Sequence, residues 1–346
     1  MSRMLDEIRE QPEVLARTLS SELRHIEKFR TLMGRRKPRL VVLVARGTSD
    51  NAAQFGRYLI EITTGIPVSL AAPSVHTIYG ARLNYKDALV IAVSQSGEST
   101  DTNEVLTQAR KAGAVTVGVT NQPRSALART AEHVFLVKAG REKSIAATKT
   151  YTSQLMILYL LAYALGAKIR IPDLEAIPDL AASALTLQSE VSAMAERYRF
   201  MHHAVVAGRG LNYANAFEFA LKLMETCYIV AQRFSSADFL HGPIAMIEPN
   251  FPLFLFTPSG PTLTSMQDML TRLRDLKAET VVITDRRNLA AANLASRVIS
   301  IPARIPEIYS PIPYILPAQL FAAALAVEKN LDPDRPRALT KITRTL

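Results

Sequence analysis

Shifted by 163 positions, this chain overlays itself. Gly47 falls on Gly210, Ser96-Gly97 on Ser259-Gly260, and the apolar run Val90–Val93 on Leu253–Phe256; one further residue of slip brings Thr120 onto Thr284. Each overlaid residue closes a hydrophobic run, so the overlay is one of structural position and not of composition alone. The runs themselves, such as Leu40-Val41-Val42-Leu43-Val44, lack polar alternate residues. That is the pattern of strands covered on both faces, hence of parallel sheets with helices on either side. The fold class expected is α/β: two tandem, doubly wound parallel-sheet domains, Arg39–Leu165 and His202–Asn330.

The first copy predicts strands at Arg39–Ala45, Pro67–Leu70, Ala88–Val93, Val115–Val119 and His133–Val137, with helices at Asn51–Ile62 and Asn103–Ala112. Helical spacing of Leu5, Ile8, Leu15, Leu19, Leu23, Ile26 and Phe29 predicts two helices or one broken at Pro12 ahead of the first strand. The apolar run Leu155–Ala167, too short to cross a bilayer, belongs to a buried helix from Lys149 to Leu165. Ile171–Pro178, acidic and proline-bearing, is the expected linker. The division is then 1–38 N-terminal helical segment, 39–170 first domain, 171–201 linker and connecting helix, 202–330 second domain, and 331–346 C-terminal tail.

Composition narrows the class. At 346 residues, 48% hydrophobic and 21% charged, the chain is of ordinary globular character. One cysteine, Cys227, excludes an intrachain disulfide framework and suits a reducing compartment, the cytoplasm. Met1–Glu10 is charged and carries no apolar signal core. The net charge of +10 is scattered, with only Arg35-Arg36-Lys37 as a compact run. No zinc-finger or helix-turn-helix spacing accompanies it, so no nucleic acid and no membrane partner is expected. A positive field also steers phosphorylated metabolites.

Two strand-to-helix turns carry the first chemical signal. The strand Ala88–Val93 ends in Ser94-Gln95-Ser96-Gly97-Glu98-Ser99-Thr100, and the strand Arg39–Ala45 ends in Arg46-Gly47-Thr48-Ser49-Asp50. Free N–H groups at a helix start, crowded by hydroxyls, suit an anion and most simply a phosphate. An ordinary serine-rich turn with a good N-cap is the other reading. Neither a G-x-G-x-x-G fingerprint nor a Walker A sequence follows the first strand, which argues against a nucleotide. The second copy offers Thr257-Pro258-Ser259-Gly260-Pro261 instead, so only the first copy is expected to grip phosphate.

The second signal lies in the second copy. Glu218, Lys222 and Glu225 are spaced to share one face of a helix over Asn215–Tyr228, opposite Phe217, Leu221 and Met224. Such a stripe is either a solvated charge network or an acid–base device. His241 enters a Gly242-Pro243 turn, where it either points into a cleft or plays a structural part. It lacks partners at metal-ligand spacing, so no metal and no cofactor is expected.

These residues resemble the sugar-isomerase domain family, most closely the isomerase half of glutamine–fructose-6-phosphate aminotransferases, with the type II glucosamine-6-phosphate deaminases built on the same fold. The matching stretches are Arg46-Gly47-Thr48-Ser49, Ser94–Ser99, Ala139-Gly140-Arg141-Glu142 on to Thr148-Lys149, Gly208-Arg209-Gly210, Glu218–Glu225, His241-Gly242-Pro243-Ile244-Ala245 and Arg335–Lys341. The resemblance implies that Ser49, Ser94, Gln95, Ser96 and Ser99, with Gly47 and Thr48, hold the 6-phosphate of a hexose. It implies Glu225 as the enolising base, His241 as the group assisting ring opening, and Glu218, Lys222 and Lys341 lining the sugar, with Ile145 and Ala147 beside it. It further implies a homodimer in which the histidine reaches the sugar of the partner subunit.

Departures from the family pattern bear on the reaction. The sequence opens Met1-Ser2 without the nucleophilic cysteine of a glutaminase, Ala147 stands where the synthases usually have a serine, and Arg46 replaces a small residue. The expected activity is conversion of glucosamine 6-phosphate to fructose 6-phosphate and ammonia. The alternatives are an aldose–ketose isomerase or a fructosamine-type phosphate deglycase on the same site, and a sugar-phosphate sensor without turnover.

Overall fold

The computed structural model describes residues Ser2–Thr340. Its strands are β1 (Leu40–Val44), β2 (Val68–Leu70), β3 (Ala88–Val93), β4 (Val115–Thr120), β5 (His133–Leu136), β6 (His203–Gly208), β7 (Val230–Ser235), β8 (Pro252–Phe256), β9 (Glu279–Asp285) and β10 (Arg297–Ile301). They form two five-stranded sheets, ordered β2-β1-β3-β4-β5 and β10-β9-β8-β6-β7. Read from its other edge, the second sheet is β7-β6-β8-β9-β10, the order of the first. All pairings are parallel. The internal repeat is therefore a repeat of topology: Leu40, which opens β1, overlays His203, which opens β6, at the same shift of 163.

In each sheet the order reverses between two central strands, β1 and β3 in the first, β6 and β8 in the second. Connections from such a pair leave to opposite faces, and the crevice at the carboxyl ends is where ligands of doubly wound sheets bind. Every residue of β3 and of β4 is buried, as the uninterrupted apolar runs require.

The two strands that hydrophobic patterning does not reveal, β7 and β10, are both sheet edges. Val230, Gln232 and Arg233 are exposed on β7, and Arg297 is exposed on β10. An edge strand covered on one side needs no continuous apolar run, so the pattern fades where the packing does.

The chain forms two compact units. One comprises Glu13–Glu142 and Lys149–Ala176; the other comprises the N-terminal stretch through Pro12, Lys143–Thr148 and Ile177–Ala338. In the first, the helix Lys149–Ala164 is buried along almost its entire surface and packs on the helix Thr48–Thr64. Gly56 permits the close approach, because a Cβ there would lie 3.0 Å from a Leu158 methyl. In the second, Pro311–Glu328 plays the same part. By length and composition that helix also qualifies as a membrane span, but 83% of it is buried inside the protein, and Gln319 within it is wholly covered.

Several prolines stand at helix starts, although Pro317 lies inside Pro311–Glu328. The N-terminal segment breaks into Arg3–Arg9 and Gln11–Arg35, with Pro12 in the first turn of the second helix. First-turn proline is tolerated because its missing N–H has no intrahelical acceptor. For the same reason the prolines of the Ile171–Pro178 linker stand in first helical turns. Pro172 and Pro178 are second residues of the helices Ile171–Glu175 and Ile177–Leu185.

Candidate active site

In the first unit, the turns after β1 and β3 lie side by side because the two strands are hydrogen-bonded neighbours. Gly47, with φ +57°, admits the left-handed backbone from which the helix Thr48–Thr64 springs. A salt bridge ties this turn to the helix Thr100–Lys111 that follows β3: Arg46 Nη2 lies 2.6 Å from Asp101 Oδ2, and the Asp101 side chain is buried. The sequence shows both charges, but their distance along the chain conceals the pairing.

The Ser94 turn is braced from within. Ser94 Oγ accepts the Gly97 N–H at 3.1 Å, and Ser96 Oγ accepts the Glu98 N–H at 3.3 Å. A hydroxyl that accepts from its own turn still has its O–H to donate, so each serine retains a donor. Gly97 has φ +67°, and a Cβ there would lie 2.2 Å from Ser125 Oγ, so only glycine fits. Ser99 occupies the N-cap of the helix Thr100–Lys111, yet its side chain bonds Thr102 Oγ1 and does not cap the backbone. In the neighbouring turn, Ser49 is buried and accepts a hydrogen bond from Gln154 Nε2 at 2.9 Å. An open cleft of about 450 Å³ lies against Gln95, Ser96 and Glu98, walled by Gln122–Ser125, Arg141 and Glu142.

In the second unit, the helix Tyr213–Cys227 turns its charges inward. Glu218 and Lys222 are fully buried, while Phe217, Leu221 and Met224 on the other side are partly exposed. Lys222 Nζ lies 2.6 Å from Glu225 Oε2 and 3.4 Å from Glu218 Oε1. A solvated surface network is thereby excluded. Of the two carboxylates only Glu225 is open, its side chain 22% exposed against 0% for Glu218. Burying charges costs several kcal/mol per ion even when they are paired, so this set is not accounted for by stability alone. Cys227, on the same helix, is buried, and burial pushes its thiol up to about 11, which leaves it inert at neutral pH.

Ile145 and Ala147 fall within Lys143–Thr148, the excursion that belongs to this unit. Both are part-exposed, alternating with buried Ser144, Ala146 and Thr148. The buried carboxylate of Glu7 holds the stretch, accepting the backbone N–H of Lys143 and, at 3.1 Å, that of Ser144. Gln11 Nε2 bonds Gln319 Oε1 at 2.7 Å, and Gln319 in turn reaches the Thr148 carbonyl at 3.5 Å. These supports escape sequence reasoning because each joins residues more than a hundred positions apart. His241 caps the short helix Ser236–Leu240 in an exposed turn. The start of the tail is anchored by Asp334, which accepts the N–H groups of Arg3 and Met4, and by Arg337, whose guanidinium lies 4.6 Å over the Tyr228 ring at the end of the Glu225 helix. Lys341 lies outside the described residues. Among the described residues, no cluster of three or more His, Cys, Asp or Glu has the geometry to hold a metal ion.

Comparison with known proteins agrees with this architecture. The SIS domain family model matches residues 36–164 and 199–329, one match per sheet. A glutamine–fructose-6-phosphate aminotransferase (isomerizing) of Pyrococcus horikoshii is 34% identical over 349 residues, covering 98% of this chain and 57% of the relative. The chain thus spans little more than half the length of that relative. The C-terminal domain of the glucosamine-fructose-6-phosphate aminotransferase from Francisella tularensis superposes with a TM-score of 0.87 at 28% identity, over 97% of this chain and 98% of that one. A glucosamine-6-phosphate deaminase from Thermotoga maritima gives 0.80 at 21% identity, over 99% and 100% of the two chains, a likeness of fold alone.

Proposed function

The chain belongs to the SIS domain family, and from that premise we propose that it isomerises an amino-sugar 6-phosphate, converting glucosamine 6-phosphate to fructose 6-phosphate with release of ammonia. The observation that carries this reading is the buried set of two carboxylates around one lysine. With all three ionised, the set is net negative, which favours a substrate that carries an amine or passes through an iminium over one that is neutral at C2. The first unit supplies the phosphate grip. Phosphate is idle in the reaction, but its binding energy fixes C1 and C2 for proton transfer.

In the open-chain aldehyde, Glu225 takes the proton from C2 and returns it to C1 while the amine gives up one proton and O1 gains one, leaving an imine at C2 and a hydroxyl at C1. Water adds to the imine carbon, and ammonia leaves with the ketone formed. Lys222, hydrogen-bonded to Glu225 at 2.6 Å, holds that carboxylate in position. His241 assists ring opening, and Lys341, outside the described residues, is the further residue assigned to the sugar. A panel of amino-sugar and ketose 6-phosphates, assayed for ammonia and for ketose phosphate, tests the reading. Ammonia and fructose 6-phosphate from glucosamine 6-phosphate are expected. Isomerisation of unsubstituted sugar phosphates without ammonia would assign an aldose–ketose isomerase instead.

The working form is proposed to be a homodimer in which His241 serves the partner's sugar. Its support is the exposed His241 turn, with Met246 40% exposed beside it, and the part-exposed Phe217, Leu221 and Met224. Mixed His241→Ala and Glu225→Gln subunits then regain about a quarter of wild-type activity, since half the dimers are mixed and each holds one intact site. No recovery after verified subunit exchange would place the histidine in its own subunit's site.

A further inference from the structure

The second sheet has its own crevice where the strand order reverses, between β6 and β8, and a side chain of this chain occupies it. Glu307 opens the short turn Glu307–Tyr309 and is 8% exposed. Its Oε2 accepts the Thr262 N–H at 3.0 Å. A Cβ on Gly260 would lie 2.4 Å from that same oxygen, and a Cβ on Gly210, where φ is +58°, would lie 3.7 Å from Oε1. One carboxylate oxygen therefore faces the turn after β6 and the other the turn after β8. At the repeat's shift of 163, Gly210, Gly260 and Thr262 overlay Gly47, Gly97 and Ser99 of the first copy's hydroxyl-rich turns.

We propose that the second unit retains the oxyanion site of the duplicated fold and that the Glu307 carboxylate is its resident anion, closing it to phosphate from solution. The geometry is that of an anion in a backbone cradle: a glycine permits close approach, and a backbone N–H donates to the oxygen. Burial raises the carboxyl of Glu307 while the Thr262 N–H lowers it, as for an acid seated in a desolvated cradle. It follows that a chain takes up one phosphate, in the first unit, despite having two crevices. The argument rests on the equivalence of the two sheets and stands whichever sugar the protein uses.

The test removes the resident anion from the full chain. In a Ser94→Ala/Ser96→Ala background, which silences the first turn, Glu307→Ala is expected to create one site for inorganic phosphate per chain by calorimetry. Its melting temperature falls by several degrees, roughly the effect of a lost buried hydrogen bond, and millimolar phosphate or formate restores it. Glu307→Gln, which keeps the crevice filled, gains no such response. Should Glu307→Ala fold only when phosphate or formate is supplied, the proposal is equally supported. A Glu307→Ala chain that binds neither anion, with a melting temperature no more sensitive to them than that of Glu307→Gln, overturns it. A second measurement needs no Glu307 variant: wild type taking up two phosphates, or the serine background retaining one, shows the second crevice open and overturns the proposal too. Loss of all phosphate binding in wild type, by contrast, would count against the sugar-phosphate reading and leave the second crevice closed as proposed.

Discussion

Glu225→Gln is expected to lower turnover by about 10²-fold or more, the scale of general-base loss, with the Michaelis constant held within a few-fold. Glutamine keeps the size of the side chain and its contact with Lys222 but has no basic oxygen for the C2 proton. In heavy water the wild type should incorporate deuterium at C1 or C2 of the sugar, and the variant should lose this exchange together with ammonia release. Lys222 is the rival base, and its surroundings argue against it. Its ammonium sits 2.6 Å from one carboxylate and 3.4 Å from another, so it is engaged as a donor between them. Retained exchange in Glu225→Gln would transfer the role to Lys222. Instability is a competing cause of lost activity, since breaking a buried ion pair costs about 3–5 kcal/mol. Glu218 remains as a partner for Lys222 in the variant, so thermal unfolding should move little while turnover falls.

How much of this was legible in the sequence follows from what kind of contact each feature depends on. The runs at β1, β3, β4, β8 and β9 could be read because central strands of a parallel sheet are apolar on both faces. The edges β7 and β10 could not, being half-covered. The Ser94 turn was visible as a cluster of hydroxyls along seven residues, and the structure adds that Ser94 and Ser96 accept from their own turn. For the Glu218–Lys222–Glu225 stripe the spacing set the face but left its direction open. The structure buries Glu218 and Lys222 together with Phe219, Ala220 and Leu223 and leaves Phe217, Leu221 and Met224 partly exposed. Which of these side chains is covered depends on what the helix packs against, which no local pattern encodes. Glu7, Gln319, the Arg46–Asp101 pair and Glu307 were silent for a related reason: each acts on backbone or charge that the fold alone brings near.

The Ser94→Ala/Ser96→Ala double variant should weaken binding of a 6-phosphorylated sugar by about 10²- to 10⁴-fold. Hydrogen bonds to a charged group contribute about 1.5–3 kcal/mol each, and each 1.4 kcal/mol is about a factor of ten. The same serines also brace their turn, Ser94 through the Gly97 N–H and Ser96 through the Glu98 N–H. Loss of a neutral brace costs only about 1 kcal/mol of stability per bond, so the two effects differ in size and separate by ligand. If the hydroxyls grip phosphate, affinity for the phosphorylated sugar collapses while the weak affinity for the unphosphorylated sugar stays as it was. If they only shape the turn, both affinities fall together and the melting temperature falls with them. Calorimetry with the two sugars distinguishes these cases, and unchanged affinity for the phosphorylated sugar would remove the phosphate from this turn altogether.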